Sequence, residues 1–186
     1  MDRGRRCIIA IARHVRALGF SIFLLVFTAM SANADGVLAK PQGDVILSIR
    51  GAIKTSNAIR DGNLVAEFDH QLLESMEMVQ IKTQSPFVEG MHTFKGVLLK
   101  DLLTRIGAHG TILCATALDG YSVDIPIGDA AQFDVVLALI WNGKYMTPRD
   151  KGPIWMIYPI SKFPELNTEM YSSSAIWQLT DIVVEP

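Results

Sequence analysis

Arg149, Asp150 and Trp155 lie within six residues of one another, in the stretch NGKYMTPRDKGPIWMIYP from Asn142 to Pro159. A guanidinium, a carboxylate and a flat indole form a set suited to holding a planar ligand. They also sit between two turn signals and a strand. Asn142-Gly143 is the sequence of a two-residue type I′ hairpin, because both central positions need φ > 0. The run Thr147 to Pro153 reads as a second turn, and Ile154 to Tyr158 reads as an apolar strand closed by Pro159. A charged loop fixed between strands is where a rigid scaffold would place binding groups.

Other chemistries find no support in the residues. The histidines His70, His92 and His109 share no ligand spacing with one another or with Cys114, so neither a structural nor a catalytic zinc site is expected. There is no Gly-rich phosphate loop and no Gly-x-Ser-x-Gly elbow. Cys114 lies in the apolar context Ile112-Leu113-Cys114-Ala115 and reads as an inert core residue. No catalytic residue and no metal ligand is assigned.

The elements that must position these groups follow from periodicity. Strands are expected over Asp44–Ile53, Leu64–Phe68, Met78–Thr83, Thr111–Ala117, Tyr121–Ile125, Val135–Trp141 and Ala175–Val184, the last with Trp177 and Leu179 facing inward. Asp69 is a suitable N-cap for a short helix from His70 to Met76. Apolar residues at 98, 99, 102, 103 and 106 predict a helix from Val97 to Ile106, closed by Gly107. A short helix or turn is expected within Ile127–Phe133. Residues 35–43 read as a tail, Ser85–Phe94 as a loop, and the stretch from Pro164 to about Ser173 as another. Short strands, two clear helices and many turns define an α+β, β-rich single domain.

Residues 1–34 differ from the rest. Arg3, Arg5, Arg6, Arg13 and Arg16 precede an apolar run from Leu18 to Met30, and Ala32-Asn33-Ala34 places small residues before a cut at Asp35. The pattern is that of a secretory signal peptide cleaved after Ala34, leaving a domain of residues 35–186 in the periplasm. Five of the 17 Lys and Arg and one of the 19 Asp and Glu lie before Asp35. That leaves 12 against 18, a net charge of −6 for residues 35–186, which argues against nucleic acid as a partner. One cysteine remains, so no internal disulfide can form.

With the motifs in hand, a family resemblance is visible. Thr93-Phe94-Lys95-Gly96-Val97-Leu98-Leu99-Lys100-Asp101-Leu102-Leu103 resembles the Phe/Trp-x-Gly-Val-x-Leu-x-x-Leu-Leu segment of the sulfite-oxidase-type molybdopterin-binding domain. Asp119-Gly120-Tyr121 with Ile125-Pro126, then Asn142-Gly143, Arg149–Pro153 and Tyr158-Pro159, then Ser173–Trp177, follow in the order of that family. The resemblance covers roughly residues 44–185 and implies that fold. The departures matter as much. The family's enzymes bind molybdenum through a cysteine just before the Phe-x-Gly-Val segment, and Lys82–Phe87 contains none. The closing lysines of the family are replaced here by Ser173, Ser174 and Ala175, so the cations suited to a cofactor phosphate are lost.

What the resemblance implies is a small exported member that keeps a pterin pocket without the metal. Such members report pterins to the periplasmic domain of a membrane-bound enzyme that makes or degrades cyclic di-GMP, and so influence biofilm growth. The alternative it implies is a periplasmic oxidoreductase that carries molybdopterin without the usual cysteine. A third reading is a structural domain whose pocket is filled. Pterin chemistry suits the residues. Its 2-amino-4-oxo edge offers two parallel N–H donors that one carboxylate accepts, beside a carbonyl that Arg149 can serve. One stack contributes about 1–3 kcal/mol and each charge-assisted hydrogen bond roughly 1.5–3 kcal/mol, enough for micromolar binding at about −8 kcal/mol.

The candidate pterin-binding residues are Phe87, Tyr121, Arg149, Asp150, Trp155, Ser173 and Ser174. Each has a plainer reading: Trp155 as core, Arg149-Asp150 as a solvated turn, Tyr121 as a strand aromatic, the serines as turn residues. Phe87 follows Pro86 at the former metal end, where an exposed aromatic needs a cover. Trp177 is assigned to the core.

Overall fold

The computed structural model describes residues 38–186; the expected signal peptide lies outside them. Two sheets carry the fold. The first strand, β1, is Leu47–Gly51, followed by β2 (Ala58–Arg60) and β3 (Asn63–Phe68). Asp61 and Gly62 take φ of 50° and 79° to turn β2 into β3, as the Asp-Gly-Asn turn signal requires. Helix α1 (His70–Glu74) follows, capped by Asp69, whose side chain accepts from the Leu72 N–H. Strands β4 (Met78–Ser85) and β5 (Val88–Leu98), helix α2 (Leu99–Arg105), and the hairpin of β6 (Ile112–Ala117) and β7 (Ser122–Pro126) come next. Helix α3 (Gly128–Gln132), β8 (Val136–Trp141), β9 (Lys144–Tyr145), β10 (Trp155–Ile157), helix α4 (Glu169–Ser174) and β11 (Leu179–Glu185) complete the order.

The larger sheet runs β2-β3-β1-β11-β6-β7 and the smaller β10-β8-β5-β4, with β9 paired to β8. Every ladder is antiparallel except β1 on β11, where Ile49 pairs with Ile182. The main core lies between the sheets and is closed by α2. Leu47, Ile49, Leu113, Ile182, Leu137 and Met156 meet Leu99, Leu102 and Ile106 there. The helical spacing read from the sequence is this buried stripe. Its end is a Schellman motif: Gly107 at φ 62° donates to the Thr104 carbonyl, and Ala108 donates to that of Leu103. A second, smaller cluster of Phe94, Val136, Ala138, Met146, Trp155 and Ile157 forms on the other face of the smaller sheet.

Four expectations need correction. The supposed loop Ser85–Phe94 is mostly strand, because β4 and β5 form one long hairpin with Pro86-Phe87 as its two-residue tip and Ser85 paired to Val88. The same strand runs on to Leu98, so the predicted helix starts two residues later than Val97. The reason is Gly96: a Cβ there would lie 1.9 Å from the Leu137 carbonyl oxygen, so the glycine lets β5 press directly onto β8. The stretch before Ser173 contains α4 and a single 3₁₀ turn, Pro164–Leu166. Three consecutive serines hide that helix, since Ser is a modest helix former. Part of the supposed tail is also fixed: Leu38 is buried, and the Gln42 and Gly43 N–H groups donate to Asp69. The Asn142-Gly143 hairpin forms as expected, at φ 49° and 81°. Among the described residues no helix is long and apolar enough to cross a membrane.

Candidate functional site

A pocket of about 330 Å³ opens between three chain segments. The β4–β5 tip contributes Phe87. The turn from β6 to β7 contributes Ala117, Asp119 and Tyr121. Helix α4 and the irregular segment after it contribute Glu169, Ser172, Ser173, Ala175, Ile176 and Trp177.

Each segment is held for a local reason. Phe87 is third in a tight Ser-Pro-Phe-Val turn and cannot turn inward, so its ring leans edge-to-face on Trp177, with centroids 4.6 Å apart. That contact is the cover an exposed Phe87 requires. Asp119 accepts from the Tyr121 N–H at 3.0 Å, an Asx turn that fixes the β6–β7 reversal with Gly120 at φ 88°. The Tyr121 hydroxyl donates across the pocket mouth to the Ser173 carbonyl at 3.4 Å, tying turn to helix. On α4, the hydroxyls of Ser172, Ser173 and Ser174 donate to the carbonyls of Thr168, Glu169 and Met170, each four residues back.

Trp177 owes its position to the backbone around it. Gln178 takes φ 53°, which breaks the strand alternation that the sequence suggested for Ala175 onward. β11 starts only at Leu179, and Trp177 swings out of the core to the pocket wall. Behind it stands Lys151, itself at φ 69°. Its ammonium lies 3.8 Å from the Trp177 ring centroid, 5.2 Å from that of Trp155 and 5.7 Å from that of Phe87. Burial pulls the Lys151 pKa down.

Of the seven residues read from the sequence, Phe87, Tyr121 and Ser173 come together in this pocket; the other four do not line it. Trp155 is fully buried. On β10 it shares a face with Ile157, and its indole N–H donates to the Ala175 carbonyl at 3.1 Å. Phe87, Phe94, Trp141 and Trp177 surround it, so it supports the pocket wall from beneath. Arg149 and Asp150 form an exposed 3₁₀ turn with Pro148, in which Asp150 accepts from the Thr147 hydroxyl. Ser174 is buried, on the side of α4 that meets Tyr158. There Tyr158 donates to Asp129 at 3.2 Å, and burial raises both their pKa values. Sequence reasoning missed Trp177, Asp119, Glu169 and Ser172 as lining residues. Asp119 had a visible signal, the Asp-Gly turn; the other three depended on α4 and on the Gln178 reversal.

Cys114 stands on β6 opposite Asp124 and Val183, away from the pocket lining. Burial and the Asp124 carboxylate push its thiol pKa up. Among the described residues no group of three or more His, Cys, Asp and Glu is placed to hold a metal ion.

Two sheets with short helices against them and an aromatic-lined pocket make a mixed, β-rich α+β domain. The sequence family agrees: the model of the oxidoreductase molybdopterin binding domain matches residues 63–163, and the chain belongs to that family. Among solved structures, the sulfane dehydrogenase SoxCD from Paracoccus pantotrophus aligns with a TM-score of 0.57 at 18% identity, over 81% of this chain and 40% of that chain. This chain therefore spans less than half of the SoxCD chain, and the likeness is one of fold. Curated protein sequences give no significant match.

The family implies molybdopterin, and the lining does not fit it. The pocket offers no thiolate to the metal and no Lys, Arg or His to a phosphate; its charged groups are the carboxylates Asp119 and Glu169. A dianionic phosphate beside two carboxylates without a cation is unfavourable.

Proposed function

We propose that this chain is an exported, non-catalytic pterin-binding protein. The observation that carries the reading is the pocket itself: aromatic faces from Phe87, Tyr121 and Trp177, with hydrogen-bond acceptors and without a thiolate. The bicycle stacks against Trp177, and the 2-amino edge donates to a carboxylate, Glu169 or Asp119, in the role the sequence reading gave to Asp150. Together with the periplasmic location expected from residues 1–34, this supports a sensor that binds no molybdenum. Its partner in this reading is the periplasmic domain of a membrane-bound enzyme that makes or degrades cyclic di-GMP, and its output is biofilm control.

The test is direct. The protein purified from periplasm is examined by mass spectrometry and fluorescence for a bound pterin, and the stripped protein is titrated with a reduced pterin. A bound or acquired pterin, weakened about tenfold by Trp177→Ala, is the expected result; a stacking contact of about 1–3 kcal/mol sets that scale. Absence of both retention and uptake overturns the reading.

Family membership favours a second reading, a molybdopterin-dependent oxidoreductase that dispenses with the cysteine. Metal analysis separates the two. Stoichiometric molybdenum in protein from a molybdenum-replete host supports the enzyme; its absence there supports the sensor.

A further inference from the structure

We infer that Glu169 and Asp119 make the pocket selective, admitting planar heterocycles rich in N–H donors and rejecting phosphate monoesters. The inference rests on the pterin reading above and deepens it by assigning specificity to two residues.

The polar lining is composed of acceptors. Ser173 gives its hydroxyl hydrogen to the Glu169 carbonyl at 3.0 Å, and Ser172 gives its own to Thr168 at 2.9 Å. What these oxygens turn toward a ligand is lone pairs. The Tyr121 hydroxyl hydrogen points to the Ser173 carbonyl. Asp119 spends Oδ1 on the Tyr121 N–H and keeps Oδ2. Glu169, at the first turn of α4, is the second carboxylate of the lining. Lys151, the cation beside this wall, is held over the rings of Trp177, Trp155 and Phe87 and does not line the pocket.

A ligand that brings N–H groups completes every one of these acceptors. A ligand that brings a phosphate brings more acceptors and two negative charges, and meets two carboxylates and no cationic side chain in the lining. Like charges brought together at a partly desolvated surface are a common device for rejecting a competitor. The same pocket thus separates a free pterin from one carrying a phosphorylated side chain, although both present the same bicycle for stacking.

Isothermal titration with 7,8-dihydroneopterin and with its monophosphate tests this, because the two differ by the phosphate alone. Wild-type protein is expected to bind the phosphate-free compound at least about tenfold more tightly. Glu169→Gln and Asp119→Asn are expected each to narrow that ratio, with the larger change in the double variant; Asn at 119 still accepts the Tyr121 N–H and keeps the turn. Thermal melts confirm that the variants fold. Raising the salt concentration is expected to narrow the wild-type ratio as the carboxylates are screened. Equal affinity of wild type for the two compounds overturns the selectivity while leaving pterin binding intact. A ratio unchanged in the double variant overturns the assignment to these residues. Failure to bind either compound overturns the pterin reading itself.

Discussion

The ammonium of Lys151 sits 3.8 Å from the centre of the Trp177 ring. It braces the pocket wall from behind: the Lys151 carbonyl accepts from the Gln178 N–H at 3.0 Å, so loop and wall are joined by backbone as well as by charge. Cation–π contacts contribute roughly 0.5–2 kcal/mol depending on desolvation. Lys151→Met keeps the aliphatic stem and removes the charge. It is expected to lower pterin affinity three- to tenfold, while Lys151→Arg retains most of it. A second readout is intrinsic fluorescence against pH. Burial lowers the Lys151 pKa, so wild-type tryptophan emission is expected to change on the alkaline side at a lower pH than an ordinary lysine would titrate. Lys151→Met should remove that change.

Trp155 and Trp177 are separable by mutation. Trp155 is fully buried and hydrogen-bonded, so Trp155→Ala is expected to cost about 3–5 kcal/mol of stability. Urea denaturation measures it. Trp177 is half-buried, and its replacement by Ala should cost less stability and more affinity. The paired measurements, denaturation midpoint and ligand titration, should move in opposite order for the two variants.

Gly96→Ala should be among the most damaging single-methyl changes in the chain. Its Cβ would meet the Leu137 oxygen at 1.9 Å and the Ala138 Cα at 2.7 Å, both backbone atoms of β8. Relief requires the β5–β8 ladder to open. Gly90→Ala is the control. It lies at φ 88° with no atom within 4 Å of the added Cβ, so the cost is conformational, about 1–2 kcal/mol. Thermal melts should rank Gly96→Ala far below Gly90→Ala.

Asp69 gives the fold an acid-sensitive clasp. Burial raises its pKa, but backbone N–H groups of Leu72, Gly43 and Gln42 bond the carboxylate and bring the net value below 3.8. A carboxylate with a lowered folded pKa stabilises fully above its unfolded pKa, and the contribution is lost as pH falls through the folded value. Stability of the wild type should therefore drop, as pH falls below the ordinary carboxylate range, more steeply than that of Asp69→Ala. At pH 7 the substitution should cost about 1 kcal/mol or more, the usual scale of a lost N-cap. Urea midpoints at several pH values decide it.

Much of this architecture was legible in the residue pattern. Leu113, Ala115 and Ala117 alternate cleanly because β6 buries one face, and the Leu99–Ile106 stripe reads as helix because α2 buries one side. Turn chemistry at Asn142-Gly143 and Asp119-Gly120 was equally plain. The site was half legible. Phe87 and Tyr121 were found because they lie at turns, which reach the surface whatever the sheets do; Ser173 was found through the family resemblance and stands on α4. Trp155 and Trp177 exchanged roles because alternation says which residues share a face, not which face is roofed. A left-handed Gln178 leaves no mark in the sequence. Arg149-Asp150 looked like ligand contacts from their closeness in sequence to Trp155, but Trp155 points inward while their turn faces solvent.

The parallel pairing of β1 with β11 has a consequence for how the larger sheet closes. β11 (Leu179–Glu185) is threaded between β1 and β6, two strands that lie earlier in the chain. Without it, the larger sheet is two unjoined fragments, β2-β3-β1 and β6-β7. A chain in which β11 has not docked therefore exposes the unpaired edges of β1 and β6.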